Sequence, residues 1–333
     1  MDFVNSACAH AVVAKNQLKN KLVRDFRAAK AGELSGQGLI EYVLIIAVIG
    51  LVIVFAGPGV AGAIRNQFNL VGNTVNNGTV GGTEGGGVSG GGSTGADSAT
   101  VQAAVAKDAK DWTLDEQEAV AKDIAKNGIS SIAYAKAKAA MDAGTKFSMK
   151  LTNGETLEYR IIGIDHDDLA DGSGKAGLTF EATNTALSAQ RMNATNANAG
   201  GWDRSELRGR LNTDDLWSLL PSELQSKVKS VTKMTDNQGG GKAGTPSATT
   251  DKVFLLSTTE VYGDLDHDGT QYEYYKSKGV TTSNYSGASS SSFHWTRSVS
   301  PDYSAGFRGV SSVGCWGHNA AAFTNDVFPA WCF

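Results

Sequence analysis

Cysteine is scarce in this chain: three residues in 333, Cys8, Cys315 and Cys332, with no spacing that would hold zinc. Histidine is almost as rare. His10, His166, His267, His294 and His318 stand alone, without the H-E-x-x-H spacing of a metalloprotease helix. No Ser–His–Asp arrangement stands out, and the glycine runs lack the strand–helix context of a phosphate loop. These absences leave no catalytic or cofactor motif, so no enzymatic activity is expected. Positive charge is also thin along most of the chain. Six basic side chains (Lys15, Lys19, Lys21, Arg24, Arg27, Lys30) fall in residues 1–36, against Asp2, Asp25 and Glu33. The net charge is −4, so everything after residue 36 is acidic on balance. An acidic body excludes nucleic acid as the expected partner.

What is present begins with an apolar run. Leu39 to Ala56 carries a single charge, Glu41. As a helix, eighteen residues span about 27 Å, close to the hydrocarbon thickness of a bilayer. Gly57, Pro58 and Gly59 then loosen or end it. Basic residues precede the run, and only Arg65 follows it before residue 100. The charge asymmetry orients the N-terminus to the cytoplasm and the rest of the chain outward. A secretory signal peptide fits poorly, because the charged region is long and no A-x-A site follows the run. A plain anchor leaves Glu41 unexplained.

Ser35-Gly36-Gln37-Gly38-Leu39-Ile40-Glu41-Tyr42 resembles the processing site of type IV pilins, most closely the small Flp/Tad-type pilins with their Glu-Tyr pair. The resemblance implies cleavage by a prepilin peptidase between Gly36 and Gln37, with Glu41 as the fifth mature residue. It also implies other pilin subunits as partners: the new amine of Gln37 would neutralise Glu41 of a neighbouring copy, since a carboxylate is tolerable in apolar surroundings only when paired. The leader is long for that family, and the body is much larger than a small pilin's.

Residues 73–99 carry ten glycines between Gly78 and Gly95 and read as a flexible spacer. Residues 100–144 read as helical. Thr113 and Glu116 form a capping-box signature before a run ending at Asn127-Gly128, and a second helix over 131–143 stops at Gly144. From Phe147 the apolar period becomes two: Phe147, Met149 and Leu151, then Asn153-Gly154, then Leu157, Tyr159 and Ile161 predict a hairpin. Helices are expected over 204–211 and 221–231, and a short strand over 253–257. The expected fold class is α+β: a cytoplasmic leader (1–36), a transmembrane pilin helix (37–72), a Gly-rich linker (73–99), a helical segment (100–144) and a globular ligand-binding domain (145–333).

The globular part resembles an uncharacterised bacterial surface domain. The residues that carry this include Tyr159–Ile164, Asp167–Gly172, Gly200-Gly201-Trp202, Thr245–Lys252, Trp295–Ser298 and Pro329–Phe333. The resemblance implies a C-type-lectin-like fold shared with sulfatase-modifying factors, whose C-terminal segment returns to the core while the loops before it form a display surface. The reactive cysteine pair of those factors has no matching pattern here. The stretch between Ser298 and Pro329 sets aromatics among Ser, Gly and Asn, a composition resembling a paratope. Trp295, Phe307, Val327 and Trp331 are expected in the core, and Tyr303, Trp316, His318, Asn319 and Phe323 at a ligand-binding surface.

Asp264, Asp266 and Asp268 followed by Gly269 have the start of a calcium loop, but position twelve is Tyr275 rather than Glu. They form either a calcium site or a solvated turn. Asp165, Asp167, Asp168 and Asp171 either hold a cation or cap a loop. Cys315 and Cys332 either join in a disulfide, which export permits, or remain two buried thiols. The expected function is a pilin-like adhesin or receptor subunit that assembles through its N-terminal helix and binds an extracellular protein or glycan. Its location would be the cytoplasmic membrane and then the cell surface or pilus. The alternative is a membrane-anchored monomeric binding protein without a filament.

Overall fold

Local capping chemistry sets the first helices. The computed structural model describes residues 96–333. Helix α1 is Ala96–Ala106 and α2 is Leu114–Asn127. Thr113 Oγ1 accepts from the Glu116 backbone N–H while the Glu116 carboxylate accepts from Thr113 N–H at 2.7 Å, so two otherwise orphaned donors are satisfied. The inward face of α2 is Val120, Ala121 and Ile124. Helix α3, Tyr134–Ala143, ends at Gly144 in the left-handed conformation (φ 65°).

The predicted hairpin is present as β1, Phe147–Lys150, and β2, Thr156–Ile164, with Phe147 opposite Tyr159. Strand β3, Leu178–Ala182, follows and is buried on both faces. Three short helices come next: α4, Glu206–Thr213; α5, Asp215–Leu219; and α6, Ser222–Lys227. The helix expected to reach residue 231 stops at Lys227, because the alternation Val231, Lys233, Thr235 belongs to a strand. That strand, β4, Val231–Thr235, pairs with β5, Ser247–Asp251. The rest is β6, Val253–Phe254; α7, Thr258–Tyr262; α8, Glu273–Ser277; β7, His294–Val299; β8, Gly306–Val310; β9, Trp316–Ala320; and β10, Ala330–Cys332.

These strands form three antiparallel sheets: five strands in the order β1-β2-β3-β10-β6, the β4–β5 pair, and the meander β7-β8-β9. The C-terminal strand β10 lies inside the largest sheet, between β3 and β6. Its Trp331 packs against Tyr159 at 5.0 Å and Phe180 at 6.0 Å between ring centroids, and Phe333 reaches Phe180 at 5.3 Å. The aromatics expected in the core, Trp295, Phe307 and Trp331, are buried there with Val327.

The expected fold class requires correction. Among the described residues no helix is long and apolar enough to cross a membrane. The longest, α2, has 14 residues and carries six charged side chains, so it is both too short and too polar. In place of an α+β assembly led by a transmembrane pilin helix and closed by a C-type-lectin-like domain, the described residues form a mixed helix–sheet unit of three small antiparallel sheets, with α2 and α3 contributing to its core. The leader, the processing residues Gly36, Gln37 and Glu41, the apolar run, and residues 73–95 of the linker lie outside the described residues.

Candidate functional site

Two features stand out, and they use different chemistry. The first is the edge of the three-stranded sheet. In the β8–β9 register Arg308 lies opposite His318 and Val310 opposite Trp316, so Trp316 and His318 share one face of the edge strand. Phe307, opposite Asn319, points from the other face into the core. Tyr303, in the turn between β7 and β8, brings its ring to 5.2 Å from His318. The Arg308 guanidinium sits 5.1 Å from the Trp316 ring centroid and is held by Asp266 at 2.5 Å. Burial and the nearby Arg308 charge push His318 below its ordinary pKa, so it stands neutral at pH 7. Tyr303 is 38% exposed and Phe323, in the turn after β9, 57%.

Four of the five expected display residues therefore lie on or beside this edge with part of their surface open: Tyr303, Trp316, His318 and Phe323. Asn319 differs. It belongs to the opposite strand face, is half-buried like Trp316 and His318, and donates to Asn325 at 3.0 Å.

The second feature is a polar cleft of about 320 Å³ between the β2–β3 connection, β4 and the segment joining α7 to α8. Its floor is Lys233, Asp167 and Glu260, which are 3%, 4% and 1% exposed. Lys233 is the middle inward residue of β4. Its Nζ lies 2.5 Å from Asp167 Oδ1 and 2.5 Å from Glu260 Oε1, and 4.4 Å from the centroid of the Phe254 ring. Asp167 also accepts from Thr179 Oγ1 at 2.6 Å and from the Tyr272 hydroxyl. Glu260 caps its own helix: it accepts from Ser257 N–H at 2.9 Å and is held on both oxygens by the fully buried Arg297.

Burial alone would raise both carboxyls, but Lys233 beside Asp167, and Arg297 with Lys233 beside Glu260, hold both below their ordinary values. Burial likewise opposes the charge on Lys233, and the two carboxylates outweigh it and raise its pKa. On the wall, His166 stacks on Tyr272 at 4.1 Å and bonds Glu273 at 3.1 Å. Burial lowers His166, and the Glu273 bond with the Asp167 charge more than reverses this. Nearer the mouth, Asp168 pairs with Lys175 at 2.9 Å and Asp171 makes an Asx turn with Ser173, so these acids are occupied with loop structure.

Asp264, Asp266 and Asp268 do not converge. Asp264 accepts from Thr282, Asp266 pairs with Arg308, and Asp268 accepts from Thr259 and Ser298. Positive φ at Asp266 (65°) and His267 (56°) turns the loop so that successive carboxylates face different partners. Calcium needs its oxygens gathered at about 2.3–2.6 Å. Among the described residues no group of three or more acidic, His or Cys side chains could hold a metal, so the calcium reading is corrected to a hydrogen-bonded turn. The Cys315–Cys332 disulfide is corrected too. Cys332 is a free buried thiol on β10, an interior strand of the large sheet, its Sγ 3.4 Å from both Thr179 Oγ1 and Asp167 Oδ2. Burial, then the Asp167 charge, push that thiol well above its usual pKa, which makes it inert.

Sequence reasoning noticed Asp167 as one of four acids and missed Lys233, Glu260 and Tyr272 altogether. The signal was present for one of them: a lysine in the inward phase of V-T-K-M-T demands a buried counter-charge. Residues 175–332 match the family model described as Domain of unknown function (DUF6273). No curated protein and no solved structure matches the chain. The matched segment contains the edge strand, Lys233, Glu260 and Tyr272, whereas Asp167 and the hairpin β1–β2 precede it.

Proposed function

We propose that the chain is an exported binding subunit, processed between Gly36 and Gln37 in the manner of a prepilin, which presents residues 96–333 to an extracellular protein or glycan. The observation that carries the binding role is the edge of the three-stranded sheet. Tyr303, Trp316, His318 and Phe323 stand partly open on a backbone fixed by β8 and by the Arg308–Asp266 pair. Rigid aromatics on a fixed backbone give contact area at low entropic cost, and a neutral imidazole adds a directional hydrogen bond. The export role rests on the residues Gly36 to Tyr42 and on the basic leader before them.

The binding role is tested with cells displaying the full chain, applied to arrays of immobilised glycans and of extracellular proteins. Trp316→Ala and Tyr303→Ser are each expected to weaken capture by roughly tenfold or more, as loss of a central aromatic anchor does. Capture unchanged by both substitutions would refute this edge as the binding surface. The export role is tested by N-terminal sequencing of the surface protein. A start at Gln37 supports it, and a chain retaining Met1 leaves only the anchored, non-filamentous alternative. If Glu41→Ala leaves assembly into fibres intact, the partner-pairing role of Glu41 is wrong.

A further inference from the structure

A buried lysine clamped between two carboxylates has an alternative to remaining an ion pair. Lys233, Asp167 and Glu260 are all more than nine-tenths buried, and Nζ touches one oxygen of each acid at 2.5 Å. The two acids are not equivalent. Glu260 is fixed as an anion by Arg297 on both oxygens and by its own helix cap. Asp167 has no guanidinium. Its oxygens are met by hydroxyl donors, Thr179 at 2.6 Å and Tyr272 at 2.9 Å. One carboxyl is thus arranged to remain a carboxylate and accept a proton. The other is arranged to have its carbonyl carbon made electrophilic. The aromatic ring of Phe254 covers the amine and the ring of Tyr272 lies beside it. Lys233 rests as an ammonium between two carboxylates, so any reaction of the amine begins with transfer of one Nζ proton across the 2.5 Å contact to Glu260.

We infer that Lys233 and Asp167 condense within the folded chain to an isopeptide bond, with Glu260 as the proton carrier. The step balances without any further reactant. The ammonium gives one proton to Glu260 and the free amine attacks Asp167 Cγ. The N–C bond forms, the hydroxyls of Thr179 and Tyr272 stabilise the developing oxyanion, and one C–O bond breaks. Of the three Nζ protons one stays on the amide nitrogen, and two leave with the departing oxygen as water. Glu260 passes its proton on and ends unchanged. Nothing is oxidised or reduced. The cleft above the three residues gives the water an exit. Effective molarities between groups held in contact are large enough to drive reactions that fail between free partners. The product would tie the β2–β3 connection to β4 across 66 residues of sequence.

The test is the mass of the purified full chain under denaturing conditions, followed by proteolysis. The expected mass is one water below that of the sequence as it is N-terminally processed. Digestion should give a branched peptide joining the segment with Asp167 to the segment with Lys233. Lys233→Met should restore the full mass, and Glu260→Gln should retain the full mass long after the wild-type chain has lost its water. Because Lys233→Met could also fail to fold, the wild-type measurement decides by itself. A wild-type chain at its full sequence mass, with both tryptic segments recovered unlinked, overturns the inference. Loss of water that persists in Lys233→Met overturns it as well. A Glu260→Gln chain that forms the bond as fast as wild type overturns the role of Glu260.

Discussion

At the residue scale, burial fixes what each charge can do. Lys233 neutralises two carboxylates that would otherwise face each other in the core. Relative to the uncondensed chain, replacing it with Met should cost about 3–5 kcal/mol in urea unfolding, the range for breaking a buried ion pair from one side. Asp268 and His294 set opposing pH dependences. Burial, only partly offset by Arg297, raises Asp268 to about 6 from its usual 3.8. Its folded pKa lies above its unfolded one, so its contribution is complete below pH 4 and is lost as pH rises through 6. Burial also lowers His294 to about 4 from 6.5. Its contribution is complete above pH 6.5 and is lost as pH falls through 4. Each is worth about 3 kcal/mol at full displacement, at 1.36 kcal/mol per unit. Between pH 4 and 6 the two nearly cancel. Asp268→Asn should therefore leave a stability curve that climbs over that window, and His294→Gln one that falls. Urea midpoints measured at half-unit steps check both signs.

At the scale of elements, close backbone contacts fix how helices meet strands. Gly177, just before β3, lies so near α2 that an added Cβ would sit 1.9 Å from the Ala121 carbonyl oxygen. Gly177→Ala should destabilise by about 1–3 kcal/mol, the cost of overpacking a contact that cannot yield locally, and thermal unfolding measures it. The contrast is Gly154 in the β1–β2 turn, where nothing lies within 4 Å, although its φ of 87° still favours glycine. Much at this scale was legible. The Thr113–Glu116 box, the stop at Gly144 and the alternation of Phe147 to Ile161 depend on residues within a few positions of one another. The β4–β5 pair was not. Its strands are short and polar on one side, and the helical reading of 221–231 absorbed the start of β4.

At the scale of the whole molecule, the chain closes on its own end. Strand β10 is an interior strand of the five-stranded sheet, between β3 and the edge strand β6, and Trp331 and Phe333 fill its aromatic cluster. Deleting residues 330–333 should abolish cooperative unfolding, because the gap lies between β3 and β6 rather than at an edge. A truncated chain that keeps a sigmoidal transition by near-UV circular dichroism would contradict that. The aromatic display edge and the Lys233 cleft belong to one described unit, yet they share no side chain, so Trp316→Ala should leave the mass predicted for the condensed chain unaltered.

The sequence by itself determined the helix caps, the first hairpin, the buried aromatics Trp295, Phe307 and Trp331, and the aromatic, glycine-spaced character of the stretch that forms the edge strand β9 and its flanking turns. These follow from propensity and periodicity, which act over a few residues. Tertiary structure alone decided that Lys233 meets Asp167 and Glu260, that Asp264, Asp266 and Asp268 each take different hydrogen-bond or ion-pair partners, and that Cys332 stays a thiol away from Cys315. The reason is physical: a charge or a thiol takes its partner from whatever the closing of long loops brings beside it. No spacing along the chain encodes which of 34 acidic residues that will be.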